Sequence, residues 1–344
     1  MQITLPPNYT SLTAALISLF GKSATIAQTA KVPGGDINKS YALTMDNGKR
    51  IFMKANAKEN APFFTAEAAG ITAIAQTGTI GTPEILCTGT DDGEEVGYSF
   101  LLLGFIESGN KRADYWEVFA QKLAAMHNAD TSAFVEPDSS EAAAPSSCES
   151  QQSVANSNAE TSTAGAAAHS PAGHRMKFGF FQDNFIGARP QKNTPCESWI
   201  SFFRDNRLAP QFSAADRYFT AEDRARNQKL LDHLEDFLVE PENPSLLHGD
   251  LWSGNAMCGA DGNALLIDPA CYVGHAEADL AMTELFGGFP PSFYDAYREA
   301  RPLQPGYESR RDLYNLYQLL NHLNLFGSGY LNAVKSVVAE YVGL

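Results

Sequence analysis

Paired cysteines are missing from this sequence, which disfavours the kinds of site that depend on them. The 344 residues include five cysteines, and no two of them form a CxxC pair. A zinc site or a disulfide framework needs paired or closely spaced cysteines, so neither is predicted. Scattered unpaired thiols are typical of proteins in a reducing, cytosolic compartment. The five are Cys87, Cys148, Cys196, Cys258 and Cys271.

Basic charge and long apolar runs are also scarce. With 25 Lys and Arg against 40 Asp and Glu, the chain has a formal net charge of −15, whereas nucleic-acid binders usually present a basic face. The apolar stretch at 12–20 is far shorter than the ~20 residues that a membrane-spanning helix needs. The composition therefore predicts a soluble, cytoplasmic protein that binds neither nucleic acid nor membrane. Its length favours two lobes over one compact core.

The first 105 residues predict a small antiparallel sheet lobe. Apolar residues recur at helical spacing over 11–20 and 62–77, and strand-like segments cover 41–45, 50–54 and 98–106. Asp46-Asn47-Gly48-Lys49 separates the first two of these strands and has the composition of a tight hairpin turn, because Asn and Gly tolerate positive φ.

Beyond residue 105 the pattern is mainly helical, so the predicted fold class is α+β with two lobes, 1–105 and 106–344. Segment 131–175 interrupts the helices, and 21 of its 45 residues are Ala or Ser. Such a segment buries too little surface to offset its ordering entropy, and we predict a disordered insertion. The predicted helices are 115–127, 193–207, 222–239, 277–286 and 309–326.

The strongest chemical signal is the run HGDLWSGN from His248 to Asn255, followed by Ile267-Asp268-Pro269. Asp250 and Asn255 are five positions apart, as in the kinase pattern in which an Asp and an Asn face one phosphate from a single loop. Asp268 follows the apolar segment 264–267, where a strand would deliver a carboxylate as the second metal ligand. A core histidine and a turn-forming aspartate are the alternative for HGD alone. The combined spacing predicts a phosphoryl-transfer site with Asp250 as base.

Lys54 is the candidate phosphate-binding lysine. It ends the strand-like segment 50–54, and Glu67 follows on the predicted helix, where it could pair with the lysine. An exposed lysine at a sheet edge and a solvated glutamate are the alternative. Gly34-Gly35 is the candidate phosphate loop, although it matches neither GxGxxG nor the Walker pattern and is equally compatible with a hairpin turn.

Aromatic residues in the C-terminal half could offer flat faces to a sugar or could form a helical core. We favour core for most of them. Trp252 is different, since it lies two positions from the predicted base, and we favour a place in the site. The set is Trp252, Phe289, Phe293, Tyr294, Tyr297 and Tyr307.

Taken together, these segments resemble the fructosamine/ketosamine kinases, which share the aminoglycoside-phosphotransferase-like and protein-kinase-like fold. The resemblance covers nearly the whole chain except 131–175. It is carried by GGDIN from Gly34, FGF from Phe178, DNFIG from Asp183, WISFF from Trp199, HGDLWSGN from His248, IDPACYVGH from Ile267, EADLAMTELFGGF from Glu277 and YNLYQLLNHLNLFG from Tyr314.

The resemblance implies a protein-kinase-like architecture, with a nucleotide-binding lobe at 1–105 and a catalytic and substrate lobe at 106–344. It implies ATP and Mg²⁺ as cofactors and glycated amines or glycated proteins as substrates, phosphorylated on the 3-hydroxyl of the ketosamine so that the amine is regenerated. The implied roles are Asp250 as base, Asn255 and Asp268 as magnesium ligands, Lys54 with its partner Glu67 on the phosphates, Gly34 and Gly35 in the phosphate loop, Leu103, Gly104 and Phe105 near the adenine, and Trp252 and His275 at the substrate.

Two alternatives stay open at this level. One is another phosphotransferase of the same fold, acting on an aminoglycoside, choline or homoserine. The other is a non-catalytic nucleotide-binding or regulatory protein, which is disfavoured because Lys54, Asp250, Asn255 and Asp268 are all present.

Overall fold

The computed structural model describes residues 3–33, 37–93, 96–135 and 176–343. The described N-terminal part forms one six-stranded sheet in the order β1-β5-β6-β4-β3-β2. Neighbouring strands are antiparallel except β1, which is parallel to β5, so the predicted all-antiparallel sheet is wrong at this edge. The elements are β1 Asn8–Tyr9, α1 Leu12–Phe20, β2 Ile26–Val32, β3 Lys39–Met45, β4 Arg50–Ala57, α2 Ala61–Gln76, β5 Ile85–Asp91 and β6 Tyr98–Gly104.

The two helices of this lobe cover opposite faces of the sheet. Side chains alternate along a strand: Phe100 and Leu102 pack in the cluster that contains the buried side of α1. Leu101 and Leu103 instead pack against Phe64 of α2. The hairpin between β3 and β4 turns where predicted, at 46–49.

The rest of the described chain is mainly helical, with three two-stranded sheets, β7-β8, β9-β12 and β10-β11, between the helices. Its elements are α3 Tyr115–His127, α4 Ser132–Val135, β7 Asn184–Ile186, β8 Arg189–Gln191, α5 Trp199–Phe203, α6 Ala209–Ala214, α7 Ala221–Asp232, β9 Ser245–Leu247, β10 Ala256–Cys258, β11 Ala264–Leu266, β12 Tyr272–Gly274, α8 Glu277–Leu285, α9 Pro291–Ala300, α10 Tyr307–Phe326 and α11 Leu331–Val342.

Most predicted helices are confirmed, but one is wrong in its first turns and another at its end. The helix predicted over 222–239 ends at Asp232, and a 3₁₀ turn, Leu234–Asp236, follows it. The helix predicted over 193–207 begins only at Trp199, because the Ser198 side chain caps it by accepting from the amide of Ser201. Before the cap, Cys196 forms a β-bridge with Phe178. The helix then continues as a π-helical turn over Arg204–Leu208.

The predicted insertion 131–175 lies largely outside the described residues. Its first residues are described: Ser132–Val135 form α4, and Phe134 and Val135 are buried in the main core. In the described ranges no helix is both long and apolar enough to cross a membrane.

The helical part is held together by a large core and by a buried ion pair. Arg310 of α10 donates to both carboxylate oxygens of Glu277 on α8, at 2.8 and 2.6 Å. Both side chains are almost fully buried. This fixes α8, which carries a residue of the site described next, against the longest helix.

Candidate active site

Lys54 lies on β4, an inner strand of the sheet, and its side chain is buried. Its Nζ is 2.7 Å from Glu67 Oε1 on α2 and 2.5 Å from Asp268 Oδ1. The alternative of an exposed edge lysine with a solvated glutamate is therefore wrong. One ammonium joins a helix of the sheet lobe to the loop after β11.

The electrostatics of this group follow from two carboxylates that share one buried cation. Burial works against the charged ammonium, but Glu67 and Asp268 together raise the pKa of Lys54 above its ordinary value. Burial raises the pKa of Glu67, and Asp268 adds to the shift although Lys54 opposes it. The lysine is thus a fixed positive charge at neutral pH.

Asp250 and Asn255 lie on the loop that joins β9 to β10. Asn255 Nδ2 donates to Asp250 Oδ2 at 3.0 Å and to the Asp250 carbonyl at 2.8 Å. A single turn of 3₁₀ helix, Ser253–Asn255, brings the amide back towards the carboxylate. The five-residue spacing noted in the sequence is the distance along the loop from Asp250 through this three-residue turn to Asn255.

Backbone hydrogen bonds join this loop to the one that carries Asp268. Ile267 N donates to Asn255 O at 3.1 Å, and Ala270 N donates to His248 O at 2.8 Å. Asp268 lies between these two links, with a left-handed φ of 55°. The predicted order of strand, then carboxylate, is confirmed, because β11 ends two residues before Asp268.

Asp250 has the electrostatics of a general base that works near neutral pH. Burial raises its pKa to about 7, and the neighbouring Asp268 and Asp279 carboxylates add to the rise against the opposing hydrogen bond from Asn255. A base is most effective when its pKa is close to the working pH. A pKa in this range is compatible with the proton-accepting role, which stays a prediction for this residue.

Asp279 binds the backbone of the loop that carries Asp250, and the sequence patterns predicted no role for it. Its carboxylate accepts from the amides of His248 and Gly249 at 2.7 and 2.9 Å. His127 Nε2 lies 3.2 Å from the same carboxylate, and Tyr297 OH lies 2.7 Å from His127 Nδ1. The available signal was an acid next to the apolar run Leu280-Ala281-Met282, since an acid on the buried side of a helix needs donors.

Gly249 is required by the geometry of this loop. Its φ is 81°, and a Cβ atom built there would lie 2.2 Å from the carbonyl oxygen of Ala270. His248 Nε2 donates to Ile267 O at 2.9 Å while Nδ1 accepts from Asp250 N, and burial lowers the pKa of this imidazole. His248 is thus a neutral core histidine that braces both loops.

The residues predicted near the adenine lie at the end of β6. Leu103 and Gly104 pair with Phe52 and Ile51 of β4, the strand that carries Lys54. Phe105 follows the strand, with the Arg50 guanidinium 3.6 Å from its ring centroid. Gly34 and Gly35, the predicted phosphate loop, lie outside the described residues.

The two predicted substrate contacts have different surroundings. Trp252 is 39% exposed beside Asp250, with its ring over Gly254, where an added Cβ would lie 2.4 Å from the indole. His275 is buried, and its ring nitrogens contact Gln304 Oε1 at 2.9 Å and the Glu277 amide at 3.2 Å. The geometry therefore argues against a substrate contact by His275.

The other C-terminal aromatics are largely core, as favoured from the sequence. Buried in the main cluster are Phe289, Phe293, Tyr297 and Tyr307, with Tyr294 packed against it.

The sheet and its helix α2 supply a Lys–Glu pair, and the helical part supplies Asp250, Asn255 and Asp268. This is the organisation of an ATP-dependent kinase of the two-lobed, protein-kinase-like fold. A family model for fructosamine kinases matches residues 9–135 and 148–343. The chain belongs to the fructosamine kinase family.

Individual relatives agree with this assignment. The chain is 34% identical to the probable ketoamine kinase of Synechocystis sp., over 99% of each protein. It is 35% identical to the chloroplastic protein-ribulosamine 3-kinase of Arabidopsis thaliana, over 94% of this chain and 85% of that protein. A solved structure assigned as a fructosamine-3-kinase, from Haemophilus somnus, aligns with a TM-score of 0.73 and 26% identity, covering 96% of each chain.

Proposed function

We propose that this kinase phosphorylates the 3-hydroxyl of ketosamines, the fructosamine or ribulosamine adducts of amines and proteins. The observation that carries the proposal is the convergence of Lys54, Glu67 and Asp268 with the Asp250–Asn255 pair, in a chain of the fructosamine kinase family. Phosphorylation of the 3-hydroxyl would destabilise the adduct and release the amine, so the biological outcome we propose is deglycation.

In this proposal each side chain has one task. Asp250 accepts the proton of the acceptor hydroxyl, which its raised pKa allows near neutral pH. Lys54 holds the α- and β-phosphates of ATP, and Glu67 orients the lysine. Gly34 and Gly35 approach the phosphates with their backbone amides. Leu103, Gly104 and Phe105 border the adenine.

The residues present fit a magnesium ion bound together with the nucleotide. Mg²⁺ is usually held by one or two protein oxygen ligands plus the phosphates. Asp268 supplies a carboxylate and Asn255 an amide oxygen. Across the described ranges no cluster of three or more His, Cys, Asp or Glu side chains forms a ready-made metal site. When bound, Mg²⁺ would supply positive charge against the phosphate oxygens.

Trp252 is the side chain we propose for acceptor recognition. It presents an exposed aromatic surface two residues from the base. The amine nitrogen of a ketosamine is protonated at neutral pH, and an indole face attracts both a sugar's C–H surface and a nearby ammonium. An acceptor bound there would have its hydroxyl within reach of Asp250.

The test is a panel of acceptors with MgATP and coupled detection of ADP. Fructoselysine and ribuloselysine are compared with an aminoglycoside, choline and homoserine, and the product is analysed by ³¹P and ¹³C NMR. We expect turnover with a ketosamine and phosphate on C3, with a rate about 10²–10⁴ lower in Asp250→Asn. Turnover restricted to one of the other acceptors, or phosphate on another carbon, would overturn the proposal.

A further inference from the structure

The β7–β8 hairpin contacts two segments that flank the proposed phosphate site, the backbone after Asp268 and helix α2. In its register Asn184 lies opposite Gln191 and Phe185 opposite Pro190. Because side chains alternate along a strand, the two amides share one face of the hairpin and the phenyl ring lies on the other. Asn184 and Gln191 are 3% and 2% exposed, so this face is inside the protein.

The amide face holds the backbone that follows Asp268. Asn184 Nδ2 donates to the Cys271 carbonyl at 2.7 Å, and Gln191 Nε2 donates to the Ala270 carbonyl at 3.1 Å. Gln191 Nε2 also donates to Asn184 Oδ1 at 2.8 Å. Two consecutive carbonyls, two and three residues after Asp268, are therefore fixed by side chains distant in sequence.

A second layer of buried groups fixes the orientation of both amides. Tyr317 OH donates to Gln191 Oε1 at 2.5 Å, so the nitrogen of that amide must face Ala270. Asn193 Nδ2 donates to Asn184 Oδ1 at 2.9 Å, and Asn193 Oδ1 accepts from Arg207 at 2.7 Å. Asn184 and Gln191 thus have partners for both their side-chain oxygen and nitrogen atoms, which favours one arrangement of the pair.

The opposite face of the hairpin packs on α2, the helix that carries Glu67. The ring centroids of Phe185 and Phe63 are 4.2 Å apart. Helix α2 also packs against the backbone that follows Asp268, since a Cβ at Gly70 would lie 3.1 Å from Pro269 Cγ. The hairpin thus contacts both elements that bring a carboxylate to Lys54.

We propose that Asn184 and Gln191 are positioning residues for phosphoryl transfer, acting through the Ala270–Cys271 backbone to keep Asp268 in place. The inference rests on the proposed role of Asp268 as a magnesium ligand. Asp268 has a strained, positive φ and a side chain that is 44% exposed, so its position depends on the segments that flank it. The segment before it is held by β11, and the amides hold the segment after it.

The test uses Asn184→Asp and Gln191→Glu, which remove the donors to the two carbonyls but keep the acceptors for Asn193 and Tyr317. Asn227→Asp is the matched control, because Asn227 is also buried but lies on α7, which packs on α11. We expect kcat to fall roughly 10- to 100-fold, as for a catalytic group displaced by about 1 Å. The Mg²⁺ concentration for half-maximal activity should rise, with the KM for the acceptor within about twofold.

Amide hydrogen exchange over 267–273 gives a readout that needs neither metal nor acceptor. Exchange there should become faster in both variants and stay unchanged in Asn227→Asp. The inference would be overturned if both hairpin variants exchanged at the rate of the unmodified protein and needed the same Mg²⁺ concentration as the control variant. Inactivity of the unmodified protein towards ketosamines would instead overturn the proposed function, and leave the exchange test valid.

If the charged variants do not fold, Tyr317→Phe replaces them. It removes the hydroxyl that orients Gln191, which also contacts the Gln211 side chain, and it buries no charge. We expect a severalfold lower kcat and faster exchange at 269–272. Unchanged kcat and exchange in this variant would equally overturn the inference.

Discussion

Lys54 Nζ and Asp268 Oδ1 are 2.5 Å apart, although 214 positions separate them in the chain. The same ammonium contacts Glu67, so one side chain joins β4, α2 and the loop after β11. Since Lys54 and Glu67 are both buried, their ion pair contributes to the stability of the fold as well as to the geometry of the site.

Replacing Lys54 by Met should separate these two contributions. The change leaves the Glu67 carboxylate buried without its cation, which costs ~3–5 kcal/mol for a buried pair. We expect a lower midpoint of urea unfolding and loss of kinase activity. The exposed Lys39 on the neighbouring strand provides the control Lys39→Met.

A double variant sharpens this prediction. Adding Glu67→Gln to Lys54→Met removes the unpaired carboxylate, so much of the stability should return while activity stays absent. A double variant as unstable as Lys54→Met would show that the ion pair is not the source of the effect.

Asp250→Asn should lower kcat by ~10²–10⁴ if Asp250 is the base. Asn keeps the size of the side chain, so the affinity for an ATP analogue should change little. Steady-state kinetics and equilibrium nucleotide binding measure the two effects. Asp261→Asn, in an exposed turn, is the control. Full activity of Asp250→Asn would rule out the base assignment.

The raised pKa of Asp250 also predicts how activity and stability depend on pH. The base must be unprotonated, so kcat/KM should fall below pH ~7. An unfolded aspartate has a pKa of about 4. A carboxyl whose pKa is raised on folding contributes stability that is complete below pH ~4 and lost as the pH rises through ~7.

Asn at position 250 stays neutral, so the stability of Asp250→Asn relative to the unmodified protein should increase from pH 5 to pH 8. Urea unfolding at four pH values measures this. A difference that is constant with pH would contradict the assigned pKa.

Gly249→Ala should abolish activity, whereas Gly48→Ala should be mild. Both glycines have φ near 80°, so both substitutions pay the same backbone strain of roughly 1 kcal/mol. A Cβ at Gly48 meets open space, but at Gly249 it would lie 2.2 Å from the Ala270 carbonyl. Kinetics and thermal unfolding should therefore show a much larger loss in Gly249→Ala than in Gly48→Ala. Equal losses would show that backbone strain, and not the close approach to the Ala270 carbonyl, causes the effect.

Trp252→Ala should raise the KM for the ketosamine by roughly 10-fold and leave the KM for ATP within about twofold. The exposed indole face offers about 1–2 kcal/mol of stacking and cation–π attraction. Trp252→Phe should recover part of the loss. Parallel changes in both KM values would indicate a disturbed loop instead, since the Trp252 carbonyl accepts from the Asn255 amide.

Local patterns were enough to predict most of the fold. The helix Tyr115–His127 and the turn at 46–49 follow from periodicity and turn chemistry, which depend on neighbours in the chain. The helix start at Trp199 was missed because Ser198 was not recognised as its cap. The hairpin β7–β8 was missed because strands of three residues leave too short a pattern to read.

The sequence by itself determined the chemical types and spacing of the site: a base and an amide on one turn, and a carboxylate after an apolar strand. Only the tertiary structure decided which buried polar groups become partners. Several of these contacts join segments that are far apart in the chain. They are the contacts of Asp279 with the base loop, of His275 with Gln304, and of Asn184 and Gln191 with the backbone after Asp268. A buried polar group must find a partner somewhere in the fold, and the residues next to it in sequence do not specify where.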